Sequence, residues 1–89
     1  MTLKRLLSDP DWTEHRLVTA LRRAGLKNTR QGTVNRIKNR TRNAGIGFAL
    51  AIEAATDGAV TAEELPLSRE TRAALRRIRD GQAGQGGAA

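Results

Sequence analysis

Leu3, Leu6 and Leu7 recur at helical spacing, which predicts a short first helix that Asp9-Pro10-Asp11 brings to a stop. Leu17, Val18, Ala20, Leu21 and Ala24 then mark one face of a second helix running to about Arg23, capped either by Asp9 with Pro10 in its first turn or by Thr13. Gly25 is placed to end it in a left-handed conformation, after which Leu26 turns into the core. Asn28 or Thr29 is expected to cap a third helix over about 29–40, with Val34 and Ile37 as its apolar positions. Ile46, Phe48, Leu50, Ala51, Ile52 and Ala55 give the most hydrophobic segment, expected to be the centre of the core with Phe48 filling space. Asp57-Gly58 ends that helix. Thr61-Ala-Glu-Glu64 has the form of a capping box, so a short helical turn follows before Pro66 breaks it. Ser68 opens a further helix through about Arg79, with Leu67, Thr71, Leu75 and Ile78 as a thin apolar stripe. The segment from Gly81 has glycine at four of its nine positions and no apolar residue larger than alanine, the composition of a disordered tail.

These elements predict an all-α fold: a small helix-turn-helix domain of about five helices at 1–67, an extra C-terminal helix at 68–80 and a disordered tail at 81–89. Eighty-nine residues support one modest core, and the marginal stability of so small a domain makes dimerisation attractive. The chain has no cysteine and one histidine, His15, so no disulfide framework or thiolate zinc site is possible, and no metal or cofactor is expected. No apolar run approaches the roughly 18 residues of a membrane span, and Leu6-Leu7 is too short for a signal-peptide core. The expected location is therefore the cytoplasm. Trp12 is expected as a core or staple residue at the start of the second helix.

Charge changes this picture from a generic helical domain to one with a direction. Residues 1–43 hold eleven basic and three acidic groups, residues 44–67 hold four acids and no base, and residues 68–89 hold five basic and two acidic groups. Between Glu14 and Glu53 there is no acid at all, against nine cations: Arg16, Arg22, Arg23, Lys27, Arg30, Arg36, Lys38, Arg40 and Arg42. One-sided charge of this kind points to a polyanion, most naturally nucleic acid.

The third helix sharpens that inference. At about 100° per residue, Val34 and Ile37 share one side, while Asn28, Gln31, Asn35, Arg36, Asn39 and Arg42 fan across the other. Two apolar anchors suffice to dock a short helix, and its outward face then offers Gln, Asn and Arg, whose paired donors and acceptors match base edges in the major groove. Gly32 costs helix stability but removes bulk where a helix must approach a groove closely.

The run Ala49-Leu-Ala-Ile-Glu-Ala-Ala-Thr-Asp-Gly-Ala-Val-Thr-Ala-Glu-Glu-Leu-Pro66 resembles the second half of Cro-type phage repressors and their antitoxin-like helix-turn-helix relatives. Thr33 to Asn39 falls where that family keeps the end of its recognition helix, and Met1-Thr-Leu-Lys4 resembles its opening. The likeness covers about residues 1–67 and is strongest over 33–66. Two features depart from it: Arg22 to Gln31 is about three residues longer than a tight helix-turn-helix turn, and residues 68–80 extend past the usual family end. The resemblance implies that Gln31, Thr33, Asn35, Arg36 and Asn39 contact bases. It also implies that Arg22, Arg23, Arg40 and Arg42 contact phosphates. Lys27, Arg30 and Lys38, the neighbouring cations of the acid-free segment, are expected to contact phosphates as well.

The function expected is therefore that of a sequence-specific, repressor-like regulator of transcription that binds double-stranded DNA as a homodimer. The alternative is an antitoxin-like or phage-encoded interaction module that binds a protein partner through residues 68–79 along the Leu67, Leu75 and Ile78 stripe. One Trp, one Phe and no Tyr leave little platform for stacking single strands. Catalysis is not expected: there is no cysteine nucleophile and no glycine-rich phosphate loop. His15, Glu14 and Asp11 flank a helix start, where acids serve the helix dipole.

Overall fold

The computed structural model describes residues 1–88, with side chains described through Gly81. It is all-helical, with no strand among the described residues: α1 (Leu3–Leu6), α2 (Glu14–Arg23), α3 (Gln31–Lys38), α4 (Ile46–Ala55), a 3₁₀ turn at Ala62–Glu64 and α5 (Arg69–Ala88).

The helix starts follow side-chain oxygens. Thr2 caps α1 and Thr13 caps α2, accepting from the Arg5 and Arg16 amides. Asp9, the other candidate for α2, instead closes a turn by accepting from the Asp11 amide at 2.9 Å. Thr61 and Glu64 form the expected capping box of the 3₁₀ turn. Ser68 caps α5, its hydroxyl accepting from the Thr71 amide at 3.1 Å.

Three helices end in one way. After α2, the Leu26 amide bonds back to the Leu21 carbonyl and the Gly25 amide to Arg22. After α3, Thr41 bonds to Arg36 and Arg40 to Ile37; after α4, Gly58 bonds to Glu53 and Asp57 to Ala54. Each is a paired 6→1 and 5→2 closure that needs a left-handed residue, supplied by Gly25 (φ 107°), Arg40 (φ 62°) and Asp57 (φ 52°).

Two expectations about α3 are corrected. Its cap is Arg30, which makes no side-chain capping bond, because Thr29 is buried and its hydroxyl donates to the Leu26 carbonyl at 2.7 Å. Its end is Lys38, two residues short of Arg40, because Arg40 has left the helical region. At the other end of the chain, α5 passes the stop expected near Arg79. Gly81 does not take a positive φ and no proline intervenes, so the helical path is not broken there. The backbone runs as helix to Ala88, past the 68–80 expected for this helix and into the expected tail at 81–89. Ala89 and the side chains of 82–88 lie outside the described residues.

The core joins every helix: Leu3 and Leu6 of α1; Leu17, Val18 and Leu21 of α2; Val34 and Ile37 of α3; Ala49 and Ile52 of α4; and Leu75 of α5. Val60, Ala62 and Leu65 complete it from the segment after α4. This redistributes the expected centre. On α4 only Ala49 and Ile52 are fully buried, while Ile46, Phe48, Leu50, Ala51 and Ala55 pack around the core half-buried. The helix is apolar nearly all round, so periodicity along it could not single out its inner face. Trp12 sits just before the Thr13 cap, packs against the core and carries the Arg16 guanidinium over its ring at 4.3 Å. No helix among the described residues is long and apolar enough to cross a membrane.

Candidate nucleic-acid interface

Val34 and Ile37, 0% and 2% exposed, pin α3 to the core by one side and leave the rest of its circumference to polar groups. Those groups sort into two flanks. At about 100° per residue Gln31, Asn35 and Lys38 form one flank, Thr33 and Arg36 the other, and Gly32 and Asn39 lie between them on the crown; Arg30 joins the second flank from its extended cap position just before the helix.

The first flank converges on Glu14, the opening residue of α2. One carboxylate oxygen accepts from Lys38 Nζ at 2.8 Å and Asn35 Nδ2 at 3.3 Å, and the other accepts from Gln31 Nε2 at 3.3 Å. The Lys38 and Glu14 side chains are only 21% and 19% exposed, so this pair is shielded from solvent in a way surface pairs are not. The Lys38 ammonium, seconded by the two amides against the cost of burial, holds the Glu14 carboxyl below the usual carboxylate range. The chain continues outward, because Asn39 Nδ2 donates to Asn35 Oδ1 at 3.1 Å. A carboxylate only accepts, so it takes the NH₂ ends of Gln31 and Asn35 and leaves their carbonyl ends to other partners; Asn35 uses its own on Asn39. The crown is thus given a fixed hydrogen-bond polarity from α2.

The second flank is cationic and unneutralised. Asn28, Arg30, Gly32, Thr33, Arg36 and Arg42 line one open concavity of about 720 Å³. Beside it a smaller depression of about 340 Å³ is walled by the Gly25–Thr29 loop, Thr33, Arg42 and Phe48. Among the described residues none of Arg30, Arg36 or Arg42 forms an ion pair. Lys27, on the smaller depression, and Arg23, in the last turn of α2, are also exposed and free of ion pairs among the described residues.

The remaining expected phosphate contacts are held differently. Arg22 donates Nε to the Thr29 carbonyl at 2.9 Å, bracing the loop between α2 and α3. Arg40, in its left-handed position, donates Nη1 to the Glu64 carbonyl at 3.1 Å and so ties the end of α3 to the 3₁₀ turn. Lys38 is engaged by Glu14. Of the residues expected on bases, Gln31, Asn35 and Asn39 share the Glu14 network, whereas Thr33 and Arg36 line the cationic concavity.

Sequence reasoning assigned Glu14 to the helix dipole. It does occupy the first turn of α2, but its larger role spans to α3. Its position at the threshold of the acid-free segment was the available signal. Such a carboxylate, alone among so many donors, is a natural partner for them. His15 is exposed, and among the described residues no three metal-capable side chains come together. Comparison with protein-family models, with characterised proteins and with solved structures gave no match to this chain.

Proposed function

We propose that this chain is a sequence-specific regulator that binds double-stranded DNA in the manner of Cro-type helix-turn-helix proteins, with α3 entering the major groove. The observation that carries the reading is the crown of α3. A helix anchored by only Val34 and Ile37 presents the Asn39 amide with a hydrogen-bond polarity preset through Asn35 and Glu14, beside Arg36 and a concavity lined by Arg30, Arg36 and Arg42 with no acid among its lining residues. Amides and guanidinium groups read base edges, and clustered arginines fix register on phosphates. Arg36 borders both surfaces and can serve either.

The division of labour follows from what each side chain is free to do. Asn35 and Asn39 are oriented for base contact. Arg23, Lys27, Arg30 and Arg42 are the phosphate ligands, and Gln31 and Lys38 support the readout through Glu14. Four or five phosphate contacts from this face contribute about −4 to −5 per subunit to the log–log salt slope. One recognition helix per subunit implies a homodimer on a two-fold operator, with half-sites spaced about one helical turn. The stripe on α5 supports no second reading, because Leu75 is 1% exposed and Leu67 packs on the chain's own core.

Selection from random duplex DNA at near-physiological salt, followed by sequencing of the retained pool, tests the reading. An enriched inverted repeat is expected. Retention without any motif would reduce α3 to a generic cationic face and overturn it.

A further inference from the structure

α5 carries five arginines in its first eleven residues, and one of them is set apart. Arg79 forms ion pairs with both Glu53 of α4 and Glu63 of the 3₁₀ turn, the latter at 2.9 Å. These bonds close α5 onto the core, and they also neutralise the two carboxylates that α4 and the 3₁₀ turn present to α5. Arg69, Arg72 and Arg76 are left on an exposed flank, where with Ala73 they line a depression of about 430 Å³. Arg72 gives a long bond of 3.4 Å to the Glu63 carbonyl, and none of the three forms an ion pair among the described residues. Glu70 lies off the row, and Asp80, one turn beyond Arg76, makes no ion pair with it.

We infer that Arg69, Arg72 and Arg76 form a second DNA-contacting surface that grips the phosphate backbone without reading sequence. The inference rests on the reading of the chain as a duplex-DNA binder and extends its footprint beyond α3. Spacings of three and four keep the guanidinium groups on one side of the helix and spread them over about 10 Å, at 1.5 Å per residue. That is the axial span of about three phosphates of one strand. The chemistry excludes the neighbouring surface types. Base reading by α3 rests on amides, and this row has none. A protein interface needs an apolar anchor at its centre, and the only other lining residue is Ala73. What remains is a row of charges suited to a periodic polyanion.

The test is the salt dependence of binding to the selected operator, extended by about one turn of flanking duplex on each side. The variants are Arg69→Ala/Arg72→Ala/Arg76→Ala and the corresponding triple lysine substitution. All three positions are exposed and alanine favours helix, so the alanine triple folds; thermal melting verifies it. The alanine triple is expected to flatten the log–log salt slope by about three per subunit, about six for the dimer, one per lost phosphate contact, with the enriched motif unchanged. The lysine triple is expected to restore most of the slope, since a phosphate accepts a point charge. An alanine triple with the wild-type slope overturns the inference, leaves the α3 reading intact, and hands the row to an acidic protein surface or to solvent. A wild-type protein that retains no duplex overturns the α3 reading and this inference together.

Discussion

α3 and α5 are both arginine-bearing helices held to the same core by few apolar side chains, Val34 and Ile37 on the one, Leu75 with half-buried Ile78 on the other. They differ in how acids are used against them. At α5 the carboxylates of Glu53 and Glu63 take one arginine completely and leave the rest alone. At α3 the single carboxylate of Glu14 takes two amides and a lysine and leaves the arginines alone. A carboxylate on a guanidinium fixes a helix in place. A carboxylate on amides also fixes which end of each amide faces outward, and that is information a groove-reading surface needs. The same interaction type therefore acts as a fastener in one place and as an orienting device in the other.

The largest effects should come from removing the anchors. Ile37→Ala and Leu75→Ala each delete buried volume and should cost about 2–5 kcal/mol, a large part of the stability of a domain this small. Both should lower the urea midpoint by similar amounts. At low temperature, where the folded state persists, Leu75→Ala should still enrich the operator motif, whereas Ile37→Ala should lose it because α3 no longer holds its position. Equal loss of selectivity in both would erase the distinction between the two helices.

The Glu14 network sharpens the comparison at smaller magnitude. The folded-state pKa of Glu14 is lowered by Lys38, and those of Glu53 and Glu63 are lowered by Arg79. Groups depressed in the folded state contribute stability that is present above the unfolded value near 4.5 and is lost as pH falls through the folded values. The thermal midpoint should therefore be flat from neutral pH to about 5 and fall below about 4.5. Glu14→Gln should cost about 1 kcal/mol at pH 7, about 4–8 °C in a domain of this size, and make the acid limb shallower. Its effect on DNA runs the other way. Removing a negative charge and releasing Lys38 should steepen the salt slope by about one per subunit, while base preference relaxes at the positions read by Asn35 and Asn39. A variant that keeps full preference would show that the amides orient themselves without α2.

Much of the fold was legible because helix ends are written locally. Gly25, Asp57-Gly58, Thr13 and the Thr61–Glu64 box all act within about one turn of where they stand, and all four are found in place. The end of α3 was not legible. The residue at its left-handed position is Arg40 and not glycine, a conformation costing about 1 kcal/mol that is offset by its bond to the Glu64 carbonyl, distant in sequence. The Asn28 or Thr29 cap failed for a related reason, since burial turned Thr29 to a different partner. On the candidate site, helical spacing alone separated the buried side of α3 from its polar side. It could not divide the polar side into an amide flank and an arginine flank, because that division is made by Glu14 from another helix.

The smallest effect is also the one that best separates a helix built for stability from one built for approach. Gly32 lies in the first turn of α3 with no atom beyond its chain neighbours and its own helix backbone within 4 Å of where a Cβ would stand, and its φ is not positive. Neither packing nor backbone geometry within the chain requires glycine there, and alanine should stabilise the helix by about 0.5–1 kcal/mol. Gly32→Ala should therefore raise the melting temperature by a few degrees. On DNA it should do the opposite, because the added methyl stands on the crown between the amide and arginine flanks, where α3 must come closest to the floor of the groove. A stabler protein with several-fold weaker operator binding and an unchanged salt slope would locate the cost in the approach of the helix and not in its charges. A variant that gains in both stability and affinity would mean that α3 does not enter the groove by its crown, and Arg30, Arg36 and Arg42 would then have to bind DNA from its flank.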